Sequence, residues 1–305
     1  MSHSHEQPHK HTHSHSHSHT KDMSSQRIGW AFCLNFCFTI IEFIGGWLTN
    51  STAIMADAVH DLGDTLSIGS AWILNKFGKK QANSEFSYGF RRLSLFGALF
   101  NGIVLVIGSI WIMSEAIPRL SNPVMPETEG MLLLAIFGVC VNGFAAYKLS
   151  AGESLNERIL NWHLLEDVLG WVAVLIVSIV LMFIKLPILD PLLSIAFTLF
   201  ILVNVVRNLW VTLKLFAQSS PDAGLNDKVK QTLLNLNFVS NLHHFHLWSL
   251  DGESHVLTVH LSLEDRLDIK QQEELKLEIK NQLEEYKLAH TTIEFEWPDE
   301  VCRDT

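Results

Sequence analysis

Six stretches of this 305-residue chain are long and apolar enough to cross a bilayer, which takes about 20 residues per helix. They run over 28–48, 52–75, 92–116, 130–150, 160–184 and 188–213. Turn-forming residues break them apart: Gly45-Gly46 and Asn50-Ser51 at the first connection, Pro118, Pro123 and Pro126 at the third, Pro187 and Pro191 at the fifth. One such run could be a buried soluble core; six in series argue against it. The first twenty residues are polar, so no cleavable signal peptide is expected.

Lys and Arg set the expected orientation. The second connection carries Lys76, Lys79, Lys80, Arg91 and Arg92, and the fourth carries Lys148 and Arg158. The N-terminal tail holds Lys10, Lys21 and Arg27, whereas the other connections together hold Arg119 and Lys185. The positive-inside rule then places both termini in the cytoplasm. Net charge is -10, with 22 Lys plus Arg against 32 Asp plus Glu. Without a basic excess to displace counterions, a nucleic-acid partner is not expected.

Three domains follow: a disordered His-rich cytoplasmic tail over 1–26, a six-helix transmembrane domain over 27–213, and a cytoplasmic α+β domain over 214–305. The last reads as helix, strand, strand, helix, strand, over Leu225–Leu236, Val239–Leu250, His255–Leu263, Ile269–Tyr286 and Thr291–Trp297. Asp222/Asn226 are expected to cap the first helix and Asp251-Gly252 to turn the hairpin. A unit this small is marginal alone, which favours pairing with a second copy.

Ionisable groups inside the spans carry the functional information. The second span holds Asp57, His60, Asp61 and Asp64, the fifth holds His163, Glu166 and Asp167, and the first holds Glu42. A central charge on a spanning helix costs about 2.5–3.5 kcal/mol even on the lenient insertion scale. Several require a compensating cation, protons, or each other. His60/Asp64 and His163/Asp167 each put an imidazole and a carboxylate one helical turn apart. Two facing helices would offer two nitrogens and two oxygens, a set a tetrahedral zinc ion accepts. Binding needs neutral His and ionised Asp, so it releases protons. A metal site that exchanges with protons inside a membrane is the core of an antiporter. Asp57, Asp61, Glu166 and Glu42 are expected around it, as supporting groups or a proton pathway. Asn101 and Asn142 are expected as interhelical contacts. Two other classes stay open: a membrane-embedded metal sensor, and an intramembrane metalloenzyme, although no H-E-x-x-H string is present.

Four stretches together resemble the cation diffusion facilitator family, in its zinc-transporting branch. They are GGWLTNSTAIMADAVHDLGD over 45–64, SYGFRRL over 87–93, HLLEDVLG over 163–170 and HHFHLWSL over 243–250. The resemblance implies a homodimer of six-helix protomers, each with a cytoplasmic domain of metallochaperone (ferredoxin-like) fold. It implies export of divalent metal, most readily Zn2+, in exchange for protons by alternating access, with Cd2+ or Co2+ as alternative substrates. The transport site of the family maps to His60, Asp64, His163 and Asp167. A regulatory metal site in the cytoplasmic domain maps to His243, His260 and Glu296. Glu294 and Glu273 occupy positions where some relatives have ligands. His246 and Trp248 match the same motif as packing residues, with His244 and His255 as surface histidines.

Two departures stand out. The connection over 75–86 has no His or Asp, so a second metal site found there in some bacterial members is not expected. Ser94 stands where relatives often have Glu. The short fourth connection, without a His-rich insertion, points to the bacterial inner membrane.

Before residue 20, histidines occupy positions 3, 5, 9, 11, 13, 15, 17 and 19. Such a tract suits metal capture at the cytoplasmic mouth, above all by His11, His13, His15, His17 and His19. The four cysteines, Cys33, Cys37, Cys140 and Cys302, are too scattered for a disulfide framework. Cys33 and Cys37 are expected to pack as small apolar groups; Cys302 is expected to be exposed near the terminus, where the family that this chain resembles sometimes has cysteine ligands.

Overall fold

A computed structural model describes residues 18–77, 82–149 and 155–304. His11, His13, His15 and His17 lie outside the described residues, as does the side chain of His19. Among the described residues, six long helices come first: α1 (Ser18–Thr49), α2 (Thr52–Phe77), α3 (Leu93–Ser121), α4 (Thr128–Leu149), α5 (Leu155–Phe183) and α6 (Leu189–Phe216). Ser18–Gln26, assigned above to a disordered tail, are the opening turns of α1.

Five of these helices, α1 and α3–α6, are long and apolar enough to cross a membrane. The exception is α2, whose polar groups dilute its apolar character. Its position explains how they are tolerated. Ile54 packs with Phe38 of α1, Met131 of α4, and Trp171 and Val174 of α5. Val59 packs with Leu105 and Ile112 of α3 and with Ile201 and Val205 of α6. Thus α2 lies at the centre, walled by apolar helices that keep its carboxylates from lipid.

Helix pairing is antiparallel between sequence neighbours, α1 with α2 and α4 with α5, while α3 pairs with α6. Gly138 lets α4 approach α5 closely, because a Cβ there would overlap the Trp171 ring. Asn101 bridges helices as expected, donating to Ser67 Oγ of α2 at 2.8 Å. Asn142 does not; it donates to Gly138 O one turn back at 3.2 Å. In an apolar bundle that carbonyl is the acceptor within reach. Cys33 and Cys37 are exposed on the outer surface of the chain rather than packed inside.

The C-terminal domain contains α7 (Ala223–Leu234), β1 (Val239–Ser249), β2 (His255–Leu263), α8 (Ile269–Leu283) and β3 (Leu288–Glu296). The sheet order is β1-β2-β3, with β1 antiparallel and β3 parallel to β2. Leu257, Val259 and Leu261 of β2 are fully buried against Val229 and Leu233 of α7 and Leu275 and Ile279 of α8.

Local chemistry shifts several expected boundaries. Asp222 sits at the N-cap of α7 without a side-chain capping bond. The capping box is on α8, between Asp268 and Gln271. The β1–β2 turn spans Leu250–Ser254, wider than a two-residue hairpin, because Asp251 Oδ1 accepts from the backbone of Glu253 and Ser254 at 3.0 and 2.7 Å. Gly252 supplies the left-handed backbone there, at φ +99°.

The loop before α3 rests on this domain. The Tyr88 ring lies 5.9 Å from Trp248 and 5.6 Å from His290, both edge-on. The Arg92 guanidinium lies 5.7 Å from the centre of the Trp248 ring and donates to Leu215 O and Phe216 O at 3.2 and 3.3 Å. Trp248 therefore meets the transmembrane part and does not merely fill the sheet, while His246 is exposed.

Candidate metal centres

Among the described residues, two groups of side chains bring at least three metal-ligating atoms within 4.8 Å of one another. The first is His60, Asp64, His163 and Asp167, and it lies between α2 and α5. Both helices carry His and Asp four residues apart, and they run in opposite directions. Each His therefore lies level with the Asp of the other helix. His163 Nε2 is 3.0 Å from Asp64 Oδ2, and His60 Nε2 is 3.6 Å from Asp167 Oδ1. Within α2, His60 Nε2 and Asp64 Oδ2 are 3.8 Å apart. Two ligands about 2.0–2.1 Å from a tetrahedral zinc lie roughly 3.4 Å from each other. The observed separations bracket that value.

The four side chains are accessible, 11–31% exposed. At the end of α2 away from the C-terminal domain, Ser51–Ile54, Ala56 and Ala58 are buried, as are Trp171, Val174 and Leu181 of α5, beside a cavity of about 460 Å³ lined by Asn50, Ser51, Thr52, Met55, Glu115 and Arg119. Toward the C-terminal domain, Ser67, Trp72 and Ile73 of α2 and Leu165 of α5 are exposed.

The supporting acids divide. Asp57 and Asp61 are buried beside Glu42 of α1. Both Glu42 oxygens and Asp57 Oδ2 lack a hydrogen-bond partner. Glu166, expected among them, is exposed on α5 and is not part of the His60, Asp64, His163 and Asp167 group.

The second group is His243, His260, Glu296 and Cys302. Strand register builds most of it. His243 of β1 lies opposite His260 of β2, and His260 lies opposite Glu294 of β3. A bulge between His243 and His246 puts His244 in the left-handed region at φ +46°, and its ring comes within 5.0 Å of His260. Glu296 is buried and receives His243 Nε2 at 2.9 Å and His260 Nδ1 at 2.9 Å. The alternating polar side of β3 thus faces this group, while Ile293 and Phe295 join the core. Burial alone would raise the Glu296 carboxyl; hydrogen bonds from Cys302, His260 and His243 outweigh it and hold it below the usual carboxylate range.

Other expectations for this domain change. His255 is buried, and desolvation holds its imidazole below the ordinary value. Glu273 is exposed on α8, away from the group. Cys302, expected from its position to be exposed, is half-buried with Sγ 3.5 Å from His260 Nδ1. The signal that could have found it was the acidic and thiol-bearing stretch Glu300–Asp304, close enough in sequence to Glu296 to fold back.

Residues 30–216 match the cation efflux transmembrane domain, and residues 221–297 match the cytoplasmic domain of cation efflux proteins. The chain is 32% identical over 266 residues to the cadmium, cobalt and zinc/H(+)-K(+) antiporter of Bacillus subtilis (strain 168), covering 85% of each chain. It is 31% identical over 283 residues to the zinc transporter ZitB of Yersinia pseudotuberculosis, covering 91% of this chain and 89% of the relative. The metal cation efflux system protein CzcD of Cupriavidus metallidurans is 29% identical over 269 residues, covering 87% and 84%. These names describe transport, not catalysis. This chain belongs to the cation efflux family.

Proposed function

We propose that this chain exports Zn2+ from the cytoplasm in exchange for protons, with Cd2+ and Co2+ as further substrates. The observation that carries the reading is the convergence of His60, Asp64, His163 and Asp167 between two antiparallel helices of the apolar bundle. The ion entering this centre is the cargo. Ionised Asp64 and Asp167 and neutral His60 and His163 bind it; their protonation expels it, and the same event loads the counter-ion. Glu42, Asp57 and Asp61 form the proton path beside the centre. Movement of the centre between a state open to the cytoplasm and a state open to the other side completes alternating access.

Within this reading α2 is the sixth membrane span, and the chain lies in the bacterial inner membrane with both termini cytoplasmic. The C-terminal domain has the metallochaperone-like order and joins two copies as a homodimer. His243, His260 and Glu296 fit a resident zinc ion: two imidazoles and a carboxylate converge without an opposing cation among them. That ion would supply no chemistry beyond holding β1, β2 and β3 in one arrangement. The His-rich tail, with His11, His13, His15, His17 and His19, gathers zinc near the mouth and raises its local concentration.

Zinc flux into proteoliposomes under an imposed pH gradient tests the proposal. Wild type should move zinc against the proton gradient, and Asp64→Ala should be silent while folded. Wild type that binds zinc at the bundle without moving it would sink the transport reading.

A further inference from the structure

A cavity of about 530 Å³ lies between α8 and β3, apart from both metal centres. Among the described residues β3 pairs with β2 along one edge only, so no further strand covers the opening. The floor is apolar: Ile279 and Leu283 of α8 and Ile293 of β3 form the flank of the domain core there. The rim is basic. Lys276, Lys280 and Lys287 line it against one acid, Glu284, and all three lysines are exposed. On a chain of net charge -10 this is a local reversal of sign. Positive charges around an apolar floor are the complement of an amphiphilic anion.

The contacts around Lys287 give the level at which the cavity opens. The 3-10 turn Glu284–Tyr286 and left-handed Lys287, at φ +51°, carry the chain from α8 into β3. Lys287 O accepts from His255 N at 3.2 Å, and the neighbouring Ser254 Oγ accepts from Arg91 Nη1 at 3.4 Å. His290, near the start of β3, meets Tyr88 of the same loop before α3. That loop also presents an exposed Phe86, and just beyond it exposed Phe96 of α3 packs edge-on against Phe216, the last residue of α6, at 4.9 Å. Exposed aromatic rings at the ends of apolar helices mark the bilayer interface. Lys287 therefore lies at the membrane-facing end of the C-terminal domain.

We infer that this cavity holds an anionic phospholipid of the adjacent leaflet, its phosphate on Lys280 and Lys287 and the start of an acyl chain over Ile279, Leu283 and Ile293. An ammonium takes a phosphate as a point charge without a fixed angle, and basic side chains beside a bilayer gain from its anionic lipids. The lipid ties the α8–β3 end of the domain to the membrane. With the orientation proposed above, the leaflet is the cytoplasmic one; the recognition itself does not depend on that orientation.

The test places the full-length chain in nanodiscs of phosphatidylcholine with increasing phosphatidylglycerol, the same on both faces, so the outcome is independent of orientation. Amide hydrogen exchange over 280–288 should slow as phosphatidylglycerol rises. The double variant Lys280→Gln/Lys287→Gln should need about tenfold more of that lipid for the same protection, while Lys280→Arg/Lys287→Arg should respond as wild type does. Lys270→Gln, on α8 but outside the cavity, should also respond as wild type. Unchanged exchange in β2 would show that the variants are folded. An undiminished response in the double Gln variant would overturn the inference. An equal loss in Lys270→Gln would overturn it in favour of diffuse charge attraction. Protection by inorganic phosphate without phosphatidylglycerol would make this a free-anion site instead. Protection that follows protein concentration and not lipid would make it a contact with a second copy of the chain.

Discussion

Asp190 caps the start of α2 from the first turn of α6, 138 residues away along the chain from Thr52. Its Oδ2 accepts from Thr52 N and Thr52 Oγ1, both at 2.8 Å, and its Oδ1 accepts from Ser51 Oγ at 2.5 Å. An N-cap is ordinarily local, supplied by the residue before the helix. Here Ser51 Oγ fills that place, accepting from Ile54 N at 3.2 Å, and a buried carboxylate from another helix adds to it, accepting the Thr52 and Ala53 amides and meeting the positive end of the dipole. Ser194 Oγ, one turn further along α6, donates to Thr52 O at 3.0 Å. The helix carrying His60 and Asp64 is thereby fixed at the end remote from the C-terminal domain.

Asp190→Ala strands two hydroxyls and at least one backbone amide in a buried place. The expected loss is about 2–3 kcal/mol, seen as a lower melting temperature in detergent. Asp190→Asn should recover part of it, because the amide oxygen still accepts. A change within about 0.5 kcal/mol, typical of an exposed position, would refute the capping role.

Glu42 is 1% exposed, and neither of its carboxyl oxygens has a hydrogen-bond partner. It lies beside Asp61 and Asp57 and is not one of the four converging side chains, so its removal should leave those four in place. In Glu42→Gln, zinc binding at the centre should stay within about threefold, while pH-driven zinc flux falls about tenfold or more. Binding and flux measured on one preparation separate these effects. Equal losses in both would assign Glu42 to ligand positioning instead of the proton path.

Trp248 joins the two domains without belonging to the core of either. Trp248→Ala removes both the Tyr88 edge contact and the Arg92 cation–π contact, together worth about 1–2 kcal/mol. Leu257, Val259 and Leu261 stay packed, so the domain should remain folded. Faster amide exchange over 87–92 with unchanged exchange in β2 is the expected pattern. Trp248→Phe, which keeps a ring, should lie between the two. Exchange that quickens equally in β2 would mean Trp248 holds the sheet itself.

What the sequence determined is periodic. Six apolar runs announce the bundle, and α2 is the one in which charge and span compete. The His-x-x-x-Asp spacing places each pair on one helical face, because four residues are close to one turn. The alternation through Glu294 and Glu296 places both acids on one side of β3 for the same reason, with a period of two. Only the tertiary structure decided which residues meet across elements. His60 lies level with Asp167 and His163 with Asp64 because α2 and α5 run antiparallel. Glu166 shares the sequence neighbourhood of Asp167 yet faces outward, since adjacent residues on a helix point about 100° apart. Asp190 reads as a helix-start residue of α6, and its task on α2 depends on two chain ends far apart in sequence packing side by side. Cys302 has no periodic partner at all. Its place beside His260 comes from a turn at Pro298-Asp299 and two ion pairs, contacts that exist only once the sheet has formed.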